Sequence, residues 1–337
     1  MNSSLPNLEH LVPGAKTIVE TCLRVGQDES VAVLVDTPNS RVGMALEQAV
    51  AAVGGEPVIM MFSPRSAHGE DPPAAAASAL AQADAGILAT SYSLASSQAR
   101  LHATEAGVRI ITIPGCSEAV FTSPAMLVDF AAMRPRIEQL GAMLTQSQHV
   151  HLTTAAGTDL HVALCGRRSI DQTGLAHRPG TWSPFPNIET AVGPKDDGIS
   201  GVFVADGVLI PGGVPAEPAR VEIENGRVVN VTGGADAKTF RQLLDSYDDP
   251  NIKQVVELGF GLNPKSQVGR GLMAEDESQW GTVHLGIGEG RTFGLVNPAP
   301  AHMDIVALAP TVAFDGQVIL DKGTYQIEGF EDDQPIG

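Results

Sequence analysis

Aromatic residues make up only 4% of the 337-residue chain, with two Trp, three Tyr and ten Phe, so its cores must be built largely from aliphatic side chains. Positive charge is scarce as well: 21 Lys and Arg stand against 39 Asp and Glu, a net charge of −18. A surface of that sign repels phosphate backbones and anionic lipid, which argues against nucleic acid or a membrane as the main partner. Long apolar runs are missing too. Those at 30–35 and 57–62 are strand-sized, and the opening MNSSLPNLEH lacks the basic end and apolar core of an export signal, so a cytoplasmic protein is expected. Three cysteines, Cys22, Cys116 and Cys165, are odd in number and widely spaced, which excludes a disulfide framework and a CxxC metal clip. Neither GxGxxG nor GxxxxGK[ST] follows the first apolar run, so no phosphate loop is expected there.

At 43% hydrophobic and 18% charged, the chain has enough apolar material for about two domains and too little charge for disorder. From Ser30 onward short apolar runs (SVAVLVD, EPVIMMF, DAGILAT, VRIITIP) alternate with Ala-rich helical stretches, and a long helical segment spans 126–144. That rhythm predicts an α/β domain over 1–146, a doubly wound parallel sheet whose ligand loops follow Asp36, Phe62 and Thr90. After 147 the texture changes to strand pairs joined by tight turns, with Glu224-Asn225-Gly226 as a strong hairpin signal. Residues 147–337 therefore read as an α+β domain, ending in a solvated acidic tail, EGFEDDQPIG.

Four segments of this second part set ligand-type side chains beside glycine or proline at strand ends: PNIETAVGP with Glu189, VVELGFGLNP with Glu257, GTVHLGIGEG with His284, and AHMDIV with His302 and Asp304. Glu257 is the most informative, because a carboxylate inside an apolar strand costs several kcal/mol to bury unless a positive charge faces it. The two-residue spacing of His302 and Asp304 turns both to one face of a strand, where imidazole and carboxylate can converge on one ion. Two imidazoles and three carboxylates suit a divalent ion, either one fully protein-ligated ion or two sharing a carboxylate and generating hydroxide near neutral pH. Exposure on the strands, or pairing with Lys265, Arg270 or Arg291, would account for the same residues without an ion.

These strings resemble the aminopeptidase T family of metalloaminopeptidases and its relatives, the 2,5-dihydroxypyridine 5,6-dioxygenases, over most of the chain. In the peptidases they look like PTEEVFTAP, a Glu-Leu followed by Gly-Asn-Pro, GTVHIALG and HWD. The resemblance implies that Glu189, Glu257, His284, His302 and Asp304 hold the metal, and that the chain forms homo-oligomers. It also implies one of two activities. The first is a zinc-, cobalt- or manganese-dependent hydrolase of an amide or peptide bond in a small substrate, with Glu189 and Arg291 in the chemistry. The alternative is an iron(II)-dependent ring-cleaving dioxygenase, whose two-His, one-Asp site is matched at His302 and Asp304 but meets Glu257 where the other histidine falls. Arg291 stands where the peptidases carry a tyrosine. Hydrolysis is the expectation, since it lacks only that tyrosine whereas dioxygenation needs a rearranged site.

Beside these strings, His177, Arg178 and Trp182 in GLAHRPGTWSPFP form either a surface loop or a pocket wall, with Arg178 for a substrate carboxylate and Trp182 for ring stacking. His149, His151 and His161 in HVHLTTAAGTDLHVAL read as structural or exposed positions of a hairpin.

Overall fold

The computed structural model describes residues 7–331; the last residues of the acidic tail, 332–337, and the first six of the chain lie outside them. Contacts divide the chain into two compact units, one of residues 1–131 and 173–186, the other of 132–172 and 187–337. Among the described residues no helix is long and apolar enough to cross a membrane.

The first unit is built on a five-stranded, all-parallel sheet in the order Glu56–Phe62, Ser30–Asp36, Ala85–Ala89, Arg109–Ile113, Trp182–Pro184. The first strand, Ser30–Asp36, lies between the second and the third, the doubly wound arrangement that the strand–helix rhythm predicts. Its inner strands are continuous aliphatic runs: every residue of Ala85–Ala89 and Arg109–Ile113 is buried, as in sheets covered by helices on both faces. Helices Ser40–Ala52, Ala74–Leu80 and Gln98–Glu105 follow the strands as expected. At the carboxyl end of the first strand, where ligands gather in such sheets, Asp36 is fully buried. Its carboxylate accepts from Asn39 Nδ2 (2.6 Å) and from the Ser91 backbone N–H (2.8 Å), tying the two loops together.

The second unit is antiparallel. An eight-stranded sheet runs Arg227–Thr232, Ala219–Glu224, Ile199–Ala205, Asp159–Ala163, His149–Thr153, Thr311–Phe314, Gln317–Asp321, Thr324–Tyr325. A six-stranded sheet runs Val208–Leu209, His302–Ala307, Val283–Gly288, Val255–Gly261, Glu189–Val192, Ser169–Gln172. The expected hairpin is present: Glu224 pairs with Arg227 across Asn225 (φ 49°) and Gly226 (φ 79°). That pair of positive dihedrals is what Asn-Gly tolerates.

The three central strands of the six-stranded sheet are buried on both faces. One face carries Val256, Leu258, Phe260, Leu285, Ile287, Met303 and Ile305, and each such side chain contributes about 1.5–3 kcal/mol on burial. The opposite face carries the ionisable groups, interleaved with glycine. This is the frame on which the candidate site is built.

Candidate metal centre

Alternation along the strands sends Glu257, His284, His302, Asp304 and Glu189 to one face, and register sets a glycine opposite each. Glu189 pairs with Gly261, His284 with Gly259, Glu257 and Asp304 with Gly286, and His302 with Gly288. The glycines of GFG and LGIG thus have a packing reason. A Cβ at 259 would overlap the His284 imidazole, and one at 286 would stand 2.6 Å from both Glu257 Oε2 and His302 Cε1. Side-chain space above these glycines belongs to the donor groups.

The donors meet. His284 Nε2 lies 3.3 Å from Glu257 Oε1 and 3.4 Å from Glu189 Oε2, while His302 Nε2 lies 3.1 Å from both Glu257 Oε2 and Asp304 Oδ1. Glu257 joins two overlapping donor groups, Glu189–Glu257–His284 and Glu257–His302–Asp304. Ligand atoms about 2.0–2.2 Å from one ion at right or tetrahedral angles are separated by about 2.8–3.6 Å, a range in which these separations fall and which direct ion pairs share.

Neighbouring groups orient the donors. Gln172 Nε2 donates to Glu189 Oε1 at 2.6 Å. His302 Nδ1 lies 2.8 Å from the Glu289 carbonyl oxygen, which only accepts, so Nδ1 carries the hydrogen and Nε2 faces the carboxylates. The ring of Phe293 stacks on that of His302 at 5.7 Å.

A sixth group belongs to this cluster, Glu277. It hydrogen-bonds Asp304 and accepts from Asn187 Nδ2 at 2.7 Å. The sequence conceals it, because Glu275-Asp276-Glu277 looks like a solvated charge run. Its neighbours are spent on the loop before it: Asp276 accepts from the Gly269 and Arg270 backbone N–H groups, and Glu275 pairs with Arg270.

Four carboxyl groups thus share a buried space with two imidazoles. Burial holds the Glu189 carboxyl up at about 8, with His284 opposing and Glu257 and Asp304 adding to the rise. Burial, then the charges of Asp304, Glu189 and Glu257, pushes Glu277 well above the carboxylate range. For His284 burial opposes the charge, but Glu189 and Glu257 outweigh it and raise the imidazole to about 9. His302 is raised well above its usual value in the same way by Asp304 and Glu257. Burial would raise Asp304, yet the His302 charge outweighs it and lowers this carboxyl. Protons crowd onto the cluster because negative charge exceeds positive. Glu189 Oε2 and His284 Nδ1 are buried without a hydrogen-bond partner among the described residues. A divalent cation answers both the excess charge and the unpartnered oxygen, so the residues present fit a metal ion.

Of the remaining candidates, Arg291 is 61% exposed in its side chain and bonds Glu289 Oε1 at 2.6 Å. His177, Arg178 and Trp182 lie in the first unit. His177 Nε2 donates to the Thr21 carbonyl at 2.7 Å, and Arg178 is exposed. Trp182 opens the fifth parallel strand, donates to Thr112 Oγ1 at 3.0 Å and has the Arg100 guanidinium 4.5 Å from its ring centroid.

A family model, NicX: 2,5-dihydroxypyridine 5,6-dioxygenase, matches residues 11–327. A curated relative, the 2,5-dihydroxypyridine 5,6-dioxygenase of Pseudomonas putida, is 24% identical over 199 residues, 56% of this chain. That match spans 57% of the relative's length. The solved structure of 2,5-dihydroxypyridine dioxygenase from Pseudomonas putida KT2440 superposes with a TM-score of 0.82 at 20% identity, covering 96% of this chain and 99% of that one. Wild-type AmpT from Thermus thermophilus gives 0.65 at 15% identity, covering 95% of this chain and 99% of that one. Both likenesses are of fold. The family and the curated relative overturn the expectation of a metal-dependent hydrolase, metalloprotease or amidase: they are dioxygenases. The physical reason is that carboxylates and imidazoles on glycine-flanked strands serve either chemistry, so the ligand strings alone do not separate them.

Proposed function

The chain belongs to the NicX family, 2,5-dihydroxypyridine 5,6-dioxygenase, and on that premise we propose that it is an iron(II)-dependent dioxygenase that opens the ring of a dihydroxylated pyridine or a close N-heteroaromatic analogue. The observation that carries this reading is the donor group Glu257–His302–Asp304, joined through Glu257 to His284, in a chain whose family model spans residues 11–327. Two imidazoles and a carboxylate are the donor set of non-haem iron(II) oxygenases. In this chain His302 and Asp304 share a donor group with Glu257, which stands where the resemblance places a histidine, and His284 adjoins that group through Glu257.

When bound, the ion supplies the redox partner for molecular oxygen and a Lewis-acidic anchor for a substrate hydroxyl. His302 is aimed by the Glu289 carbonyl, and Glu189 is held by Gln172. Asp304 stays ionised beside His302, as a ligand must. Glu277 retains its proton to higher pH and holds it against Asp304, so it is the acid–base group of the cluster. A rigid wall of Val256, Leu258 and Phe260 on the strand's other face fixes these groups in place.

The test is oxygen consumption by the full-length protein, purified without oxygen and loaded with iron(II), on addition of 2,5-dihydroxypyridine. Oxygen uptake equimolar with loss of the substrate's ring absorbance, and both atoms of labelled oxygen in the product, support the reading. A fully iron-loaded protein that consumes no oxygen with any dihydroxypyridine isomer contradicts it.

A further inference from the structure

On the eight-stranded sheet, strands His149–Thr153 and Asp159–Ala163 follow a strict exposed–buried alternation, with Val150, Leu152, Leu160 and Val162 on the core side. Their outward face carries His149, His151, Asp159 and His161. Register sets His151 opposite His161. Their rings lie parallel, 4.2 Å apart with an interplanar angle of 2°. Both imidazoles turn Nε2 toward one carboxylate oxygen, Asp159 Oδ1, at 2.8 Å from His151 and 3.8 Å from His161. Only the first of these is a hydrogen bond. The two histidines line a concavity of about 420 Å³ that also exposes His149 and Cys165.

We propose that His151, Asp159 and His161 form a second metal site, on the outer face of the eight-stranded sheet, that takes a borderline divalent transition ion of the nickel, copper or zinc class. The three donor atoms lie within 4.8 Å of one another. The separations of 2.8 and 3.8 Å bracket the spacing of about 3.4 Å expected for two ligands on one tetrahedral ion. Two imidazoles with one carboxylate select transition ions over magnesium or calcium, which prefer all-oxygen shells. Cross-strand pairing on a paired sheet holds the two histidines in register without help from an ion, so the site is largely preformed. The exposure of His161, 70% of its side chain, leaves further coordination positions to water or to a ligand from solution. None of the three residues belongs to the buried centre described above.

Nickel(II) titrated calorimetrically into full-length, chelator-stripped protein tests this. Loss of an outer partner of a ligand typically weakens a metal site 10- to 100-fold, so loss of an imidazole ligand should weaken it at least about tenfold. In His161→Asn one nickel-binding step is therefore weakened by that factor or lost, and Asp159→Asn removes the same step. His149→Asn, which lines the concavity outside the donor group, keeps it. Copper(II) bound to the wild-type protein should show electron paramagnetic resonance splitting from two nitrogen ligands, reduced to one in His161→Asn. Identical isotherms for wild type and both ligand variants, or the absence of any step sensitive to them, overturn the proposal. All three positions are surface positions, so unchanged melting temperatures confirm that the folds compared are the same.

Discussion

His284 lies directly across the sheet from Gly259, and its imidazole fills the space that a Cβ at that position would take. The ring cannot give way easily, because it is 1% exposed and held between Glu189 and Glu257. Gly259→Ala should therefore displace His284, lower stability by about 1–3 kcal/mol as overpacking does, and sharply reduce bound iron. Iron content and a denaturant melt of the variant check this; full iron occupancy in a protein of unchanged stability contradicts it.

Gln172 reaches the centre through Glu189, to which it donates at 2.6 Å. Gln172→Ala should leave the fold intact and weaken ion affinity about 10- to 100-fold, the usual effect of removing a partner that orients a ligand. Competition against a chromogenic chelator measures it.

The pH dependence of ion uptake follows from the same charge balance. In the ion-free protein, burial holds the Glu189 carboxyl up at about 8, and the surrounding carboxylates raise His284, against burial, to about 9. Both groups hold protons at neutral pH and must release them to coordinate. Ion binding therefore liberates protons, and apparent affinity rises with pH until about 9, by about tenfold per pH unit for each proton released. Calorimetry in buffers of different ionisation enthalpy counts those protons. An affinity that is flat between pH 6 and 9 contradicts the buried, protonated cluster.

Glu277 separates ion binding from turnover. Glu277→Gln keeps an amide able to bond Asn187 and Asp304 but removes the proton that can be exchanged. Iron content should stay close to wild type while ring cleavage falls about 10²- to 10⁴-fold, the span of general acid–base contributions. Equal losses in iron and turnover would mean instead that Glu277 is structural.

The legible part of this molecule is the part that local pattern specifies. Continuous aliphatic runs such as SVAVLVD give the inner parallel strands, Asn225-Gly226 gives its hairpin, and a carboxylate inside Val255-Val256-Glu257-Leu258 marks the site strand. What stays hidden depends on partners distant in sequence. Trp182–Pro184 is three residues long and becomes a strand only by pairing with Arg109–Ile113, so GLAHRPGTWSPFP reads as a loop. Glu277 reads as solvated because nothing near it in sequence reveals Asp304. His151 and His161 each look like an exposed strand residue, and only register brings the rings together. The choice between hydrolysis and dioxygenation lies beyond ligand type altogether, because the same donors support both.

The most direct test is a crystal of the iron(II)-loaded protein with data collected at the iron absorption edge. The account predicts an anomalous peak within bonding distance of His302 Nε2, Asp304 and Glu257, on the glycine-lined face shared with His284. A peak elsewhere, or none in protein shown to contain iron, contradicts it.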